Sequence, residues 1–323
     1  MSLSAEILSI LSLKGHSSIK SLAQKLEVDL DTLTVEIDRI NEGWRFIGRF
    51  DDDVVGFNEV SDLLCVDKVR TRLGTLSDRF VLDVVSETGS TNDDLLNMIR
   101  SGSAQNRLIR IAETQTAGRG TKGRSWLSIP GGSLTFSILR SIPSGNTQKG
   151  ISTLPLVVGL SIVRSLNAAA NIDCRLKWPN DVLSHGKKVA GVLIESVSVG
   201  GQHHIAIGIG INIRIPKVLM DEIDQPVTDL CGLGLRIDRN VLLANLILDL
   251  DGVLESYFID GFDLFRREWC QLHAYQNQTV SFVLPDGQQL NGDILDVDSD
   301  GALILSVAGK SRRFISGEIR INV

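Results

Sequence analysis

The chain has 323 residues, 43% hydrophobic and 22% charged, enough for more than one domain at roughly 100–200 residues each and outside the disordered and fibrous classes. Its net charge of −6 excludes a surface built throughout to neutralise phosphates, leaving only a local nucleic-acid site open. Cys65, Cys174, Cys231 and Cys270 form no C-x-x-C pair, the start MSLSAEILSILSLKGHSS has no basic n-region and the apolar run Leu154 to Val163 ends at Arg164, so no zinc ribbon, disulfide framework, export signal or membrane span is expected, and a reducing cytoplasm fits.

Residues 4–60 read as three short helices and a hairpin. Ile7, Leu8, Ile10 and Leu11, then Leu22, Ala23 and Leu26, then Leu33, Ile37 and Ile40 recur at helical spacing, and Gly43 stands where the third helix, from Asp31 to Asn41, should stop. Trp44 to Phe57 reads as a hairpin around Asp51, Asp52 and Asp53. This is the pattern of a winged helix-turn-helix, with a small helical interaction module as the alternative. Residues 61–85 read as a connecting helix and a first strand.

From about residue 80 to residue 272, strands and helices mix without regular βαβ alternation, which predicts an α+β arrangement. Strands are expected at Phe80–Val85, Leu108–Glu113, Leu134–Leu139, Val189–Ser196 and His204–Ile211, and helices over Leu154–Ala170 and Asn240–Phe258. The first of these helices is apolar nearly all round, and so buried. Beyond residue 275, alternating apolar runs separated by Pro285-Asp286-Gly287 and Ser299-Asp300-Gly301 predict a small β-barrel.

Gly118 to Trp126 holds three glycines and three cations in its first seven residues. Glycines allow close backbone approach and arginines grip anions bidentately, so this loop should bind an anion; a solvated basic loop is the bland alternative. GRGTKG also fits the dinucleotide pattern and GRGTKGRS nearly fits a P-loop, but both need a helix next. Here Pro130-Gly131-Gly132 and a strand follow instead. In Lys177-Trp178-Pro179-Asn180-Asp181 the proline should hold a fixed turn, and Lys188 opens an apolar strand, where a lysine is poorly solvated unless it faces an anion. Ser90-Thr91-Asn92-Asp93-Asp94 reads as a helix N-cap whose polar groups can also meet a ligand. Gly208-Ile209-Gly210-Ile211-Asn212 marks a strand end approached by another backbone.

In this order, STN at 90–92, ETQTAGRG at 113–120, GRSW at 123–126, KWPND at 177–181, KKVAGVLIE at 187–195 and GIGIN at 208–212 resemble the biotin–protein ligases. With its amino-terminal pattern the chain is similar to the bifunctional branch, in which the ligase is also the biotin-operon repressor. The resemblance implies an α+β fold in three parts: a winged helix-turn-helix at 1–62, a central mixed-sheet α/β ligase domain of the biotin/lipoate type at 63–273, and an SH3-like small β-barrel at 274–323. It implies biotinyl-5′-AMP formation from biotin and ATP with Mg²⁺, then transfer to a lysine of the biotin carboxyl carrier protein of acetyl-CoA carboxylase. Ser90, Thr91 and Gln115 would meet the ureido end of biotin, Trp126 would wall its valeryl tail, and Asn92, Gly118, Gly120, Thr121, Gly191 and Gly208 would complete its site. Arg119 and Lys188 would face both the carboxylate and the α-phosphate. Arg124, Asn180 and Asn212 would serve ATP, and Asp181 would orient or deprotonate the acceptor lysine. No protein metal-ligand set is implied.

Two departures stand out. Thr121 occupies the place of a second arginine in the family's loop, and Asp221–Leu230 offers no aromatic residue to cap the adenine. A lipoate ligase and a biotin-sensing DNA-binding regulator without transfer activity are the alternatives. The family also implies a homodimer in the adenylate-bound state, with the Gly132–Leu139 strand as an edge for pairing between subunits, and operator DNA as a partner through Lys14, Lys20, Arg39, Arg45 and Arg49. Yet residues 1–60 carry six cations against eleven acids, a net of −5, which predicts weak DNA binding.

Overall fold

The computed structural model describes residues 3–14, 16–42, 47–51, 53–57, 63–142, 151–170 and 172–320. The amino-terminal elements are α1 (Leu3–Lys14), β1 (His16–Ser18), α2 (Ile19–Leu26), α3 (Leu30–Ile40), β2 (Ile47–Asp51) and β3 (Val54–Phe57). Ser18 Oγ accepts from Ser21 N (3.1 Å) and Asp29 Oδ1 from Thr32 N (2.7 Å), so each of the later two helices starts on a side-chain cap. The expected hairpin is β2 with β3, and β1 adds a third antiparallel strand on the far side of β3. Three residues are too few to announce a strand by alternation. Trp44, Arg45 and Asp52 lie outside the described residues. The buried helical positions Ile7, Leu11, Leu22, Leu33 and Ile40 form one core, which continues into Ile129, Ile215, Val218 and Leu219 from the central part of the chain.

That central part holds α4 (Val66–Leu73), β4 (Val81–Thr88), α5 (Thr91–Arg100), β5 (Leu108–Gln115), β6 (Ser133–Ser141), α6 (Leu154–Ala170), β7 (Cys174–Lys177), β8 (Asp181–Ser184), β9 (Lys187–Val199), β10 (Gln202–Asn212), α7 (Lys217–Met220), α8 (Arg239–Asp260) and α9 (Asp263–Leu272). Seven strands make one mixed sheet in the order β4-β5-β6-β10-β9-β8-β7; only β4 and β5 run parallel. The strand expected as a subunit edge is therefore corrected. β6 lies inside the sheet, hydrogen-bonded to β5 on one side and β10 on the other, and is buried on both faces. An apolar sequence with hydroxyls at alternate positions reads alike for an edge and an interior strand; only the pairing distinguishes them.

Alternation along β6, β9 and β10 gives the sheet two unlike faces. Leu134, Phe136 and Ile138 of β6 and Ile205, Ile207, Ile209 and Ile211 of β10 face the main core, which also holds α4, α6 and α8. On the other face α5 covers one end with Leu95, Leu96 and Ile99 packed on Leu108, Leu139 and Ala206. The remainder of that face is left for the site.

A buried ion pair ties the layers together. Arg239 is wholly buried at the start of α8 and pairs with Glu113 of β5 at 2.9 Å, and Glu113 also accepts from Leu64 N (2.6 Å). Asn240 holds the same segment through Cys65 N (2.8 Å) and Leu63 O (3.2 Å). The carboxy-terminal strands β11 (Thr279–Val283), β12 (Gln289–Val297), β13 (Leu303–Val307), β14 (Lys310–Phe314) and β15 (Glu318–Arg320) form a wholly antiparallel sheet in the order β14-β13-β12-β11-β15. Among the described residues no helix is long and apolar enough to cross a membrane.

Candidate active site

The uncovered face of the sheet forms the floor of a cleft. Two ranks of cross-strand neighbours build it: Ser137, Gly208 and Leu193, then Thr135, Gly210 and Gly191. The glycines matter because side chains, and not the backbone expected to approach Gly208 and Gly210, lie where their Cβ atoms would be. A Cβ on Gly208 would come within 2.7 Å of Asn92 Oδ1, and one on Gly210 would fall on the Trp126 indole. Gly191 likewise faces Trp126 and the Lys188 side chain.

At one end the cleft is polar. Ser90 caps α5 by accepting from Asp93 N (3.4 Å), which brings Thr91 and Asn92 to the rim of the floor. Gln115 Oε1 accepts from Thr91 N (2.8 Å) and Thr91 Oγ1 (3.0 Å); Thr91 Oγ1 lies 2.7 Å from Ser137 Oγ, which donates to Asn92 Oδ1 at 2.7 Å. Trp126 forms the wall. Its indole Nε1 is buried against Gly210 and has no hydrogen-bond partner among the described residues.

Two cations line the cleft, Arg119 beside this polar end and Lys188 beside the second rank of the floor, each on a carboxylate. Arg119 Nη2 donates to Asp93 and, at 2.9 Å, to Glu195. Lys188 Nζ lies 2.7 Å from Asp181 and 5.6 Å from the Trp126 ring centroid. Burial pushes the Lys177 ammonium below the usual lysine range; Asp181 and Glu318 oppose this, while Lys188 and Arg124 add to it. Crowded, partly desolvated cations of this kind suit a polyanion.

The structure brings Ser90, Thr91, Asn92, Gln115, Arg119, Gly120, Thr121, Trp126, Asn180, Lys188, Gly191 and Gly208 to this one cleft. Gly118 lies behind it, where its carbonyl accepts from Trp126 N (2.8 Å) and a Cβ would meet Trp126 O at 2.5 Å. Asp181 reaches the site as the partner of Lys188. Arg124 is turned to Glu318 of β15 at 2.6 Å, and Asn212 is held on Thr228 O (3.0 Å), so neither lines the cleft. Trp178 of the KWPND segment packs on Phe282, ring centroids 6.1 Å apart, and donates to Gly301 O (2.9 Å), fixing that turn to the carboxy-terminal sheet. Sequence reasoning missed Thr135, Ser137, Leu193, Gly210, Asp93 and Glu195. A signal existed for two of them: Ser133, Thr135 and Ser137 alternate with Leu134 and Phe136, a polar face on a buried strand.

Residues 84–212, which carry the whole cleft, match the biotin/lipoate A/B protein ligase family, and residues 276–321 match the biotin protein ligase C terminal domain. Fold and cleft thus define an enzyme class that joins biotin and lipoate ligases. Within it, the chain is 31% identical over 264 residues to the bifunctional ligase/repressor BirA of Salmonella typhimurium, covering 81% of this chain and 80% of that one. It is 33% identical over 249 residues to the biotin–acetyl-CoA-carboxylase ligase of Mycobacterium tuberculosis, covering 74% and 88%. The biotin protein ligase of Aquifex aeolicus, solved with biotin and ATP, matches with a TM-score of 0.63 at 28% identity, over 74% of this chain and 97% of that one. The chain belongs to the biotin protein ligase family.

Proposed function

We propose that this protein couples biotin to ATP as biotinyl-5′-AMP, with release of pyrophosphate, and transfers the biotinyl group to a lysine of the biotin carboxyl carrier protein of acetyl-CoA carboxylase. The observation that carries this is one cleft lined by a hydrogen-bonding floor, an indole wall and two cations, Arg119 and Lys188. Thr91, Asn92, Gln115 and Ser137 receive the ureido head, and the glycines let Asn92 and Trp126 lie close on the floor, where they flank the ring. A largely apolar ligand with one polar head fits such a lining.

Carboxylate and triphosphate repel each other, and the first step needs both charges neutralised and brought into line. Arg119 and Lys188 do this by exchanging their resting carboxylate partners for substrate oxygens; Asn180, in the lining, supports the nucleotide, and Arg124 and Asn212 join it once released from Glu318 and Thr228 O. The carboxylate oxygen bonds to the α-phosphorus as the bond to pyrophosphate breaks. In the second step the acceptor amine attacks the acyl carbon, AMP leaves, and Asp181 takes the amine proton. No three His, Cys, Asp or Glu side chains among the described residues converge to hold a metal. That donor set suits Mg²⁺ carried mainly on the phosphates, where it would supply charge neutralisation, with Asp181 as the available carboxylate.

Residues 1–62, 63–273 and 274–323 we read as a winged helix-turn-helix, the ligase domain and an SH3-like barrel. The BirA relatives are named as repressors; here a homodimer in the adenylate-bound state would present Lys14, Lys20, Arg39, Arg45 and Arg49 to operator DNA, weakly. The experiment is incubation with labelled biotin, ATP, Mg²⁺ and a carrier domain. Label on the carrier lysine is expected. Pyrophosphate release with lipoate but not biotin overturns the assignment, and adenylate that never reaches the carrier leaves a biotin-sensing regulator.

A further inference from the structure

We infer that Asp93 and Glu195 are positioning residues that hold Arg119 on themselves until a ligand carboxylate replaces them, so that the cleft accepts a carboxylate only together with a head group that engages its floor. This rests on the reading of Arg119 as the group that receives the biotin carboxylate. A single guanidinium nitrogen, Nη2, serves both acids. They come from different elements, Asp93 from the first turn of α5 and Glu195 from β9. With one cation and two carboxylates the trio carries a net −1, which repels an approaching anion.

Glu195 is also wired to the floor. Its Oε2, the atom that meets Arg119, accepts from Asn92 Nδ2 at 2.9 Å, and Asn92 accepts from Ser137 Oγ at 2.7 Å. Ser137 Oγ lies 2.7 Å from Thr91 Oγ1 and accepts from it when the Thr91 hydroxyl turns from Gln115 Oε1, which also accepts from Thr91 N. An unbroken chain of hydrogen bonds therefore runs from the floor to the guanidinium. A head group bonding to Thr91, Ser137 or Asn92 competes for the contacts that hold Glu195, and loosens its grip on Arg119 at the moment the carboxylate arrives. The loop itself is closed by Gly120 N to Arg124 O (2.7 Å) and by a bridge between Arg119 and Ser125. The direction of the Arg119 side chain is thus set by the two acids. A binding-competent state that is only partly populated weakens apparent affinity by that fraction.

The test is steady-state adenylation by the full chain, with biotin as the varied substrate. Exposed ion pairs of this kind are worth a few-fold, so Asp93→Asn should lower the KM for biotin about threefold with kcat little changed. Glu195→Gln, which can still accept from Asn92, should act in the same direction, and Asp93→Glu should restore the original KM. Arg119→Ala should raise the KM and abolish the effect of Asp93→Asn. Ordinary structural damage would raise the KM, so the direction separates the two. An unchanged or higher KM in both folded neutral variants, with Arg119→Ala impaired, overturns the holding role and leaves the ligase assignment intact. No biotin-dependent adenylation by the unmodified chain, or an unaffected Arg119→Ala, overturns the premise and the inference with it.

Discussion

Lys188 and Asp181 meet at 2.7 Å with only 13% and 12% of their side chains exposed, so each is the other's main compensation for lost hydration. A charge stabiliser acting where charge develops is worth roughly 2.7–4 kcal/mol. Lys188→Ala is therefore expected to slow single-turnover adenylate formation at least ~100-fold, and an unchanged rate refutes the role. Thermal denaturation of the same variant should show a lower Tm, because Asp181 is left buried without its partner. Thr121 lines the cleft beside Gly120 and offers no charge. Thr121→Arg would add a charge-assisted contact of about 1.5–3 kcal/mol and should slow dissociation of biotinyl-AMP by at least about tenfold. A rate that does not slow means that Lys177 or Lys188 already supplies the missing cation.

At the scale of elements, the glycine–arginine loop is bolted to the carboxy-terminal sheet. Lys122 Nζ donates to Gly317 O at 3.0 Å, and Arg124 pairs with Glu318 at 2.6 Å. Burial alone would push the Glu318 carboxyl up, but the hydrogen bond and charge of Arg124, with Lys122 beside it, outweigh this and hold it below the ordinary glutamate range. A folded value below the unfolded one means the contact stabilises fully above the ordinary value of about 4.3 and is lost as pH falls through the lowered value. Glu318→Gln at neutral pH should therefore lower the protection factors of amides in residues 118–126, and acidification of the unmodified chain should do the same once the pH dependence of intrinsic exchange is divided out. Exchange that stays the same in the variant shows that the loop is held from within the ligase fold alone.

Over the whole molecule, the amino-terminal elements are not an independent bead. Their core shares Ile129, three residues beyond Trp126, and Ile215, Val218 and Leu219 around α7. The exposed side of α3 offers little to DNA: Asp31 and Asp38 are exposed, Val35 is 60% exposed, and Arg39 already donates to Glu36 at 2.9 Å. Non-specific DNA affinity comes essentially from phosphate neutralisation. With biotinyl-AMP bound at ~100 mM salt, affinity for its own biotin-operon promoter should be far weaker than the ~10 nM that specific regulators reach. Nanomolar binding with a steep salt slope contradicts this.

Local chemistry was readable from the chain itself. The Ser90 cap, the helix over Leu154–Ala170 and the two turns of the carboxy-terminal strands each depend on neighbours a few residues apart, and all lie where expected. What depends on contacts distant in sequence was not readable. The placement of β6 inside the sheet needs partners from β5 and β10, and the floor of the cleft needs the register that sets Ser137 beside Gly208 and Thr135 beside Gly210. The resting partners of the cations, Glu195 for Arg119 and Glu318 for Arg124, stand 76 and 194 residues away. A charge in a sequence shows what it can bind; which opposite charge reaches it first is decided by packing, because only the fold removes the competing water.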